Sequence, residues 1–194
     1  MVIFDTIKRR SRPFLAVLAI SSASMVASPA SASGFSLDGT IWDRTANEFG
    51  LDSYLLYAVA LVESAKLAGK SHARPFPLAL HTPDGAVYPS SEDEALAIIR
   101  GFTASNQDLK RVDVGVMQIN AGWHGQRVNS VEDLLHFETN VRVGAEILSE
   151  TLRSSPDDIV IGVGRYHNWG DDRARAYGMR VMSVWSRLVL LAKR

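Results

Sequence analysis

Apolar positions return every three or four residues along most of this 194-residue chain, a spacing that predicts helices. In TIWDRTANEFG the stripe is Trp42, Ala46 and Phe49, and Gly50 marks a stop. LDSYLLYAVALVESAKLAG follows, with Asp52 or Ser53 as its cap and Gly69 as its end. Between Tyr54 and Val62 it is apolar on every side, which predicts a central, buried helix. Residues 74–90 break the rhythm with prolines, and Pro83-Asp84-Gly85 predicts a turn within a small β-hairpin or irregular flap. Ser91 with Glu94 forms a capping-box pattern ahead of Ala95, Leu96, Ile99 and Phe102. Further helical segments are expected around Leu134, Leu135 and Phe137, and along Val141, Ala145, Leu148 and Leu152. Ser155-Pro156-Asp157 predicts a helix entry with proline at the first helical position. Gly162 and Gly164 inside the next segment point to close helix packing, since the strand–turn–helix context of a nucleotide site is missing. A last helix is expected from about Asp171, with Tyr177, Val181, Val184, Leu188 and Leu191 on one face. The expected fold is one mainly α domain carrying a small β element.

The amino-terminal segment follows a different pattern. Lys8, Arg9, Arg10 and Arg12 precede an apolar stretch interrupted by Ser21, Ser22 and Ser24, and Ala30-Ser31-Ala32 offers a small-residue cleavage site. These three parts predict a secretory signal peptide over residues 1–32. The broken apolar stretch falls short of the ~20 residues a spanning helix needs, so no stable membrane span is expected after cleavage. Residues 33–194 then form a domain of ordinary length. The whole chain has a formal net charge of +0; the leader carries the basic excess, which leaves the remainder about −3 by charge counting. Without a basic stripe, nucleic acid is excluded as an expected partner. The chain has no cysteine, so neither disulfides nor thiol chemistry can support an exported form, and burial must supply stability. A bacterial periplasm is the expected compartment.

Two stretches carry candidate chemistry. Glu63 sits near the carboxyl end of the most apolar helix, on one face with Leu56, Val59, Ala60 and Leu67. Lost hydration and the negative end of the helix dipole both favour its protonated form, as a general acid near neutral pH requires. The plainer alternative is a solvent-exposed pair with Lys66. The second stretch, DVGVMQINAGWH, places Gln118 and Asn120 among apolar residues, followed by Trp123 and His124. Two amides there need either buried partners or a polar ligand, because an unpaired one costs roughly 1–3 kcal/mol.

Val62-Glu63-Ser64, Gly115-Val116-Met117-Gln118-Ile119-Asn120 and Arg165-Tyr166-His167-Asn168 occur in that order. In these motifs the chain resembles the lytic transglycosylases, lysozyme-like enzymes (goose-type or SLT fold) that cut the glycan strands of peptidoglycan. The likeness runs from about Trp42 to the last helix. Two departures stand out: residues 70–112, a flap and an extra helix, are inserted between the first two motifs, and His167 separates Tyr166 from Asn168. The insertion is similar to that of the branch associated with conjugation and type IV secretion. The resemblance implies that Glu63 cleaves the bond between N-acetylmuramic acid and N-acetylglucosamine, leaving a 1,6-anhydromuramoyl end. It further implies that Tyr166 donates a hydrogen bond to Glu63 and that Ser64 positions the glutamate or the substrate. Gly115 would let the backbone approach the sugar, Met117 would pack against it, and Gln118, Asn120 and Asn168 would bind it. Trp123 is either a sugar platform or core. The implied partners are peptidoglycan strands and components of a conjugation or secretion apparatus.

Asp113 is the nearest second carboxyl, and its expected role is to set up the turn before Gly115. Five histidines without H-E-x-x-H or paired cysteines give no metal site, and no cofactor is expected. A lysozyme-type hydrolase on the same scaffold, and a non-catalytic peptidoglycan-binding component, remain the alternative readings.

Overall fold

A computed structural model describes residues 35–68, 72–105 and 108–194. The expected leader over residues 1–32 and the expected stop at Gly69 lie outside these residues. The described chain is mainly helical: α1 (Ile41–Phe49), α2 (Ser53–Ser64), α3 (Glu92–Ala104), α4 (Ala121–His124), α5 (Phe137–Arg153), α6 (Ile159–Gly164) and α7 (Asp171–Ala192). Six short strands complete it: β1 (Ala65–Ala68), β2 (His72–Pro75), β3 (Leu80–Thr82), β4 (Gly85–Val87), β5 (Asp113–Val114) and β6 (Ile119–Asn120).

The core is built around α2. Its Asp52 cap accepts from the Leu55 amide at 2.8 Å, and Leu56, Ala58, Val59 and Ala60 are fully buried. Val141 and Leu148 of α5, Val163 of α6, and Tyr177 and Val181 of α7 close over it. The α6–α7 crossing is close because it runs over glycines: a Cβ on Gly164 would stand 1.9 Å from the Ala174 carbonyl oxygen, and one on Gly178 2.0 Å from that of Val160. The close helix packing expected at Gly164 is therefore present, and it sets Tyr166 and Tyr177 on one side of α2.

Three expectations about element ends are corrected. The central helix stops at Ser64 instead of running toward Gly69, because Ser64 is captured by tertiary bonds. Its hydroxyl donates to the Val116 carbonyl (2.7 Å) and accepts from the Phe76 amide (3.2 Å). Residues beyond it pair as β1 with β2, in the register Lys66 opposite Arg74. The small flap is larger than the expected hairpin: β4-β3-β5-β6 form an antiparallel sheet that takes in the second motif. Finally, α6 starts after Asp158, whose carboxylate accepts from the Ile161 amide (3.1 Å), so Pro156 lies in the preceding turn.

A single buried amide fixes the turn between β5 and β6. Asn140 on α5 accepts from the Met117 amide (2.8 Å) and donates to the Val114 and Leu134 carbonyls (both 2.8 Å). Gly115 has φ +79°, and any Cβ there would meet the Asn140 amide at 2.3 Å. The glycine is thus required by the turn and by Asn140. Asn140→Ala leaves three buried backbone groups unpaired, and a loss of more than about 3 kcal/mol is expected. Asn47→Ala, at an exposed site, should change stability by less than about 0.5 kcal/mol; urea denaturation of both variants checks the contrast.

Candidate active site

Glu63 stands on the last turn of α2, at the side of a cavity of about 820 Å³ that it shares with Asp113, Gln118 and Asn120 from the β5–β6 region. Residues 165–169, which connect α6 to α7, line another part of the same cavity. All three sequence motifs therefore meet at one place. Trp123, His124 and Glu150 also line the cavity.

The electrostatics of Glu63 follow from its packing. As a residue it is only partly buried, since it opens onto the cavity, yet the protein crowding its carboxyl removes most of its hydration. That desolvation raises its pKa from 4.5 to about 7. A hydrogen bond from Tyr177 opposes the rise, the negative Asp113 adds to it, and Arg180 partly offsets it. Lys66 does not pair with it: its ammonium lies 5.0 Å from the centres of the Phe76 and Tyr88 rings.

The tyrosine that donates to Glu63 is Tyr177, at 2.5 Å, and not Tyr166. The Tyr166 hydroxyl donates instead to the Met117 carbonyl at 2.8 Å, tying the turn after α6 to the β5–β6 turn. Both phenols have pKa values raised well above 10, by burial first and then by nearby negative charge, so both remain donors. His167 stacks flat on Tyr177 with ring centres 4.8 Å apart and holds that ring in place. In the sequence Tyr177 was one member of an apolar stripe. The usable signal was that a core tyrosine, unlike phenylalanine, needs a partner for its hydroxyl.

Other expected contacts are also redirected. Met117 is fully buried and lies against Gly144, where a Cβ would meet its side chain at 2.7 Å, so it fills the core and does not face a sugar. Gly115 is likewise buried under Asn140 and lends no backbone to the cavity. Ser64 is buried and fixes the end of α2, which positions Glu63 and leaves no route to a ligand.

Gln118 and Asn120 do line the cavity, but both amides already have protein partners. Gln118 donates to the carbonyls of Ala79 (3.0 Å) and Gly115 (2.9 Å) and adopts φ +46°. Asn120 donates to Lys110 and to Asp113 (both 2.8 Å) and accepts from the Trp123 amide (3.1 Å), capping α4. Asn168 lines the cavity too, and accepts from the Gly170 amide at 2.9 Å.

Two tryptophans stand out as exposed aromatic faces on this lining. Trp123 is 59% exposed, with the Lys110 ammonium 4.3 Å from its ring centre. Trp169 is 65% exposed, with the Arg165 guanidinium 5.2 Å away. Sequence reasoning passed over Trp169, because an aromatic between Asn168 and Gly170 has no periodicity to mark it. No group of three or more potential metal ligands occurs among the described residues.

The transglycosylase SLT domain model matches residues 40–181, and the chain belongs to that family. The fold is accordingly the mainly α, lysozyme-like SLT domain, and the family is one of lytic-transglycosylase-type enzymes acting on peptidoglycan. No curated protein and no solved structure matches the chain. No helix among the described residues is long and apolar enough to cross a membrane.

The Glu63 shift has a consequence for stability. Between pH 4.5 and about 7 the folded protein keeps a proton that the unfolded chain releases. Stability therefore falls as pH rises through this window, by about 3 kcal/mol in all, and the loss is complete above it. Glu63→Gln should abolish this part of the slope, so that the variant gains on the wild type as pH is raised from 4.5 to 8. Thermal unfolding of both proteins across that range checks it.

Proposed function

We propose that this protein is an exported lytic transglycosylase in which Glu63 is the sole acid and base. The observation that carries this reading is a carboxyl oriented by Tyr177 beside a cavity large enough for saccharides, and desolvation of that carboxyl pushes its pKa up to about 7. A group titrating there holds a proton to give and can take one back.

The reaction begins with transfer of the Glu63 proton to the glycosidic oxygen as its bond to the muramoyl C1 breaks. The acetamido oxygen of the same sugar attacks C1 and carries the positive charge. The muramoyl C6 hydroxyl then attacks C1, the acetamido oxygen leaves, and the C6 proton goes to the Glu63 carboxylate. One bond is exchanged for another, no water is consumed, and the 1,6-anhydro ring forms. This differs from the two-carboxylate scheme in which the second group activates water or acts as nucleophile.

Binding falls to Trp123 and Trp169, whose exposed faces suit sugar rings, and to the outward parts of Gln118, Asn120 and Asn168. A leader cleaved after Ala32 would deliver residues 33–194 to the periplasm, where peptidoglycan lies. The described part of the inserted segment, residues 70–112, contains β2–β4 and α3. Its likeness to the conjugation and type IV secretion branch supports a role in opening the wall locally for such an apparatus.

Digestion of purified sacculi followed by mass spectrometry of the muropeptides tests the reading. The expected products are 1,6-anhydromuramoyl ends, with activity falling as pH rises through about 7, where Glu63 loses its proton. Glu63→Gln should lower the rate by roughly 10²-fold or more. Reducing ends would make the enzyme a muramidase, equal clearance by wild type and variant would rule out catalysis by Glu63, and clearance by neither would make the groove a binding site only.

A further inference from the structure

Three acidic residues line the cavity, and the reaction above uses one. Glu150 is occupied, since Arg127 holds its two carboxylate oxygens at 3.0 and 2.7 Å. Asp113 is not. Its Oδ1 accepts from Asn120 at 2.8 Å, while its Oδ2 has only the His81 imidazole, 3.6 Å away and beyond hydrogen-bond reach. The side chain keeps 32% of its exposure. It is also rigidly mounted: β5 lies between β3 and β6, so Asp113 is paired on one side with His81 and on the other with Asn120.

The transglycosylase reading, on which this inference rests, places a 2-acetamido group next to C1. Its carbonyl oxygen must turn toward C1, which directs its N–H away from the bond being broken. As the oxygen attacks, positive charge spreads onto the amide nitrogen, and a negative acceptor on the N–H stabilises that charge more than it does the ground state. We propose that the Asp113 carboxylate is a second catalytic group, accepting a hydrogen bond from the acetamido N–H of the muramoyl residue whose C1 reacts. No proton changes hands at Asp113: the N–H bond stays intact while Glu63 protonates the leaving oxygen. The two carboxyls thereby divide the work, and the charge on Asp113 is itself one of the causes that keep the proton on Glu63.

A muramoyl thiazoline, which copies the cyclised acetamido group and presents an N–H when protonated, probes the contact without turnover. Calorimetry should show Asp113→Asn binding it about tenfold or more weakly than wild type, while binding of an intact N-acetylated glycan fragment changes by less than about twofold. A purely structural role would weaken both ligands together. Equal thiazoline affinity in the two proteins overturns the proposal. If Asp113→Asn does not fold, wild type is compared on the thiazoline and on a carbocycle of the same shape without the nitrogen. A preference of about tenfold is then expected, and equal binding overturns the proposal. The Glu63→Gln digestion separates the two levels: undiminished turnover there defeats the transglycosylase reading, whereas unchanged thiazoline binding in Asp113→Asn defeats only the role of Asp113.

Discussion

Withdrawing one carboxyl from water is the constraint around which this structure is arranged. Glu63 ends a helix that is buried on nearly all sides, so the apolar residues that stabilise the domain are also those that desolvate the acid. Burial alone would leave a misplaced, mobile carboxyl. Tyr177 supplies direction, and the raised pKa shows that its hydrogen bond only partly offsets the desolvation. The balance leaves the group titrating near 7, and above that pH the buried carboxylate costs about 3 kcal/mol of stability relative to an unburied glutamate.

Much of the remaining architecture serves to hold this group still. Ser64 anchors the end of α2 to the Val116 carbonyl, and Tyr166 anchors the Met117 carbonyl next to it. Asn140 reaches the same turn from α5. Three separate parts of the fold thus grip residues 114–117, which fixes the strands that carry Asp113, Gln118 and Asn120 to the cavity. Glycines at 164 and 178 let α6 and α7 approach closely, with Tyr177 hydrogen-bonded to the acid and Tyr166 to the turn. Arg127 binds Glu146 and Glu150, and the second of these lines the cavity.

The helices were legible because their apolar stripes report burial directly. Trp42, Ala46, Val141, Leu148 and Val181 all lie where the three-and-four spacing places them. Glu63 was legible for the same reason, as an acid on an apolar helix. What the spacing could not convey was which atoms meet across the fold. Met117 and Gly115 looked like ligand contacts because they belong to a motif, yet both answer to packing: one fills space against Gly144, the other makes room for Asn140. The motif pointed to Tyr166 as the donor to Glu63, and Tyr177 stood only in an apolar stripe. The crossing of α6 over α7 decides which of the two donates. The early end of α2 was hidden because Ser64 is stopped by partners 12 and 52 residues away.

Glu63 retains its proton up to about pH 7, and site-resolved titration measures this. Carbon-13 NMR of the glutamate side-chain carboxyls, with Glu63→Gln used to assign the signal, should show this one group titrating near 7. Titration at the ordinary glutamate value, near 4.5, would contradict the account.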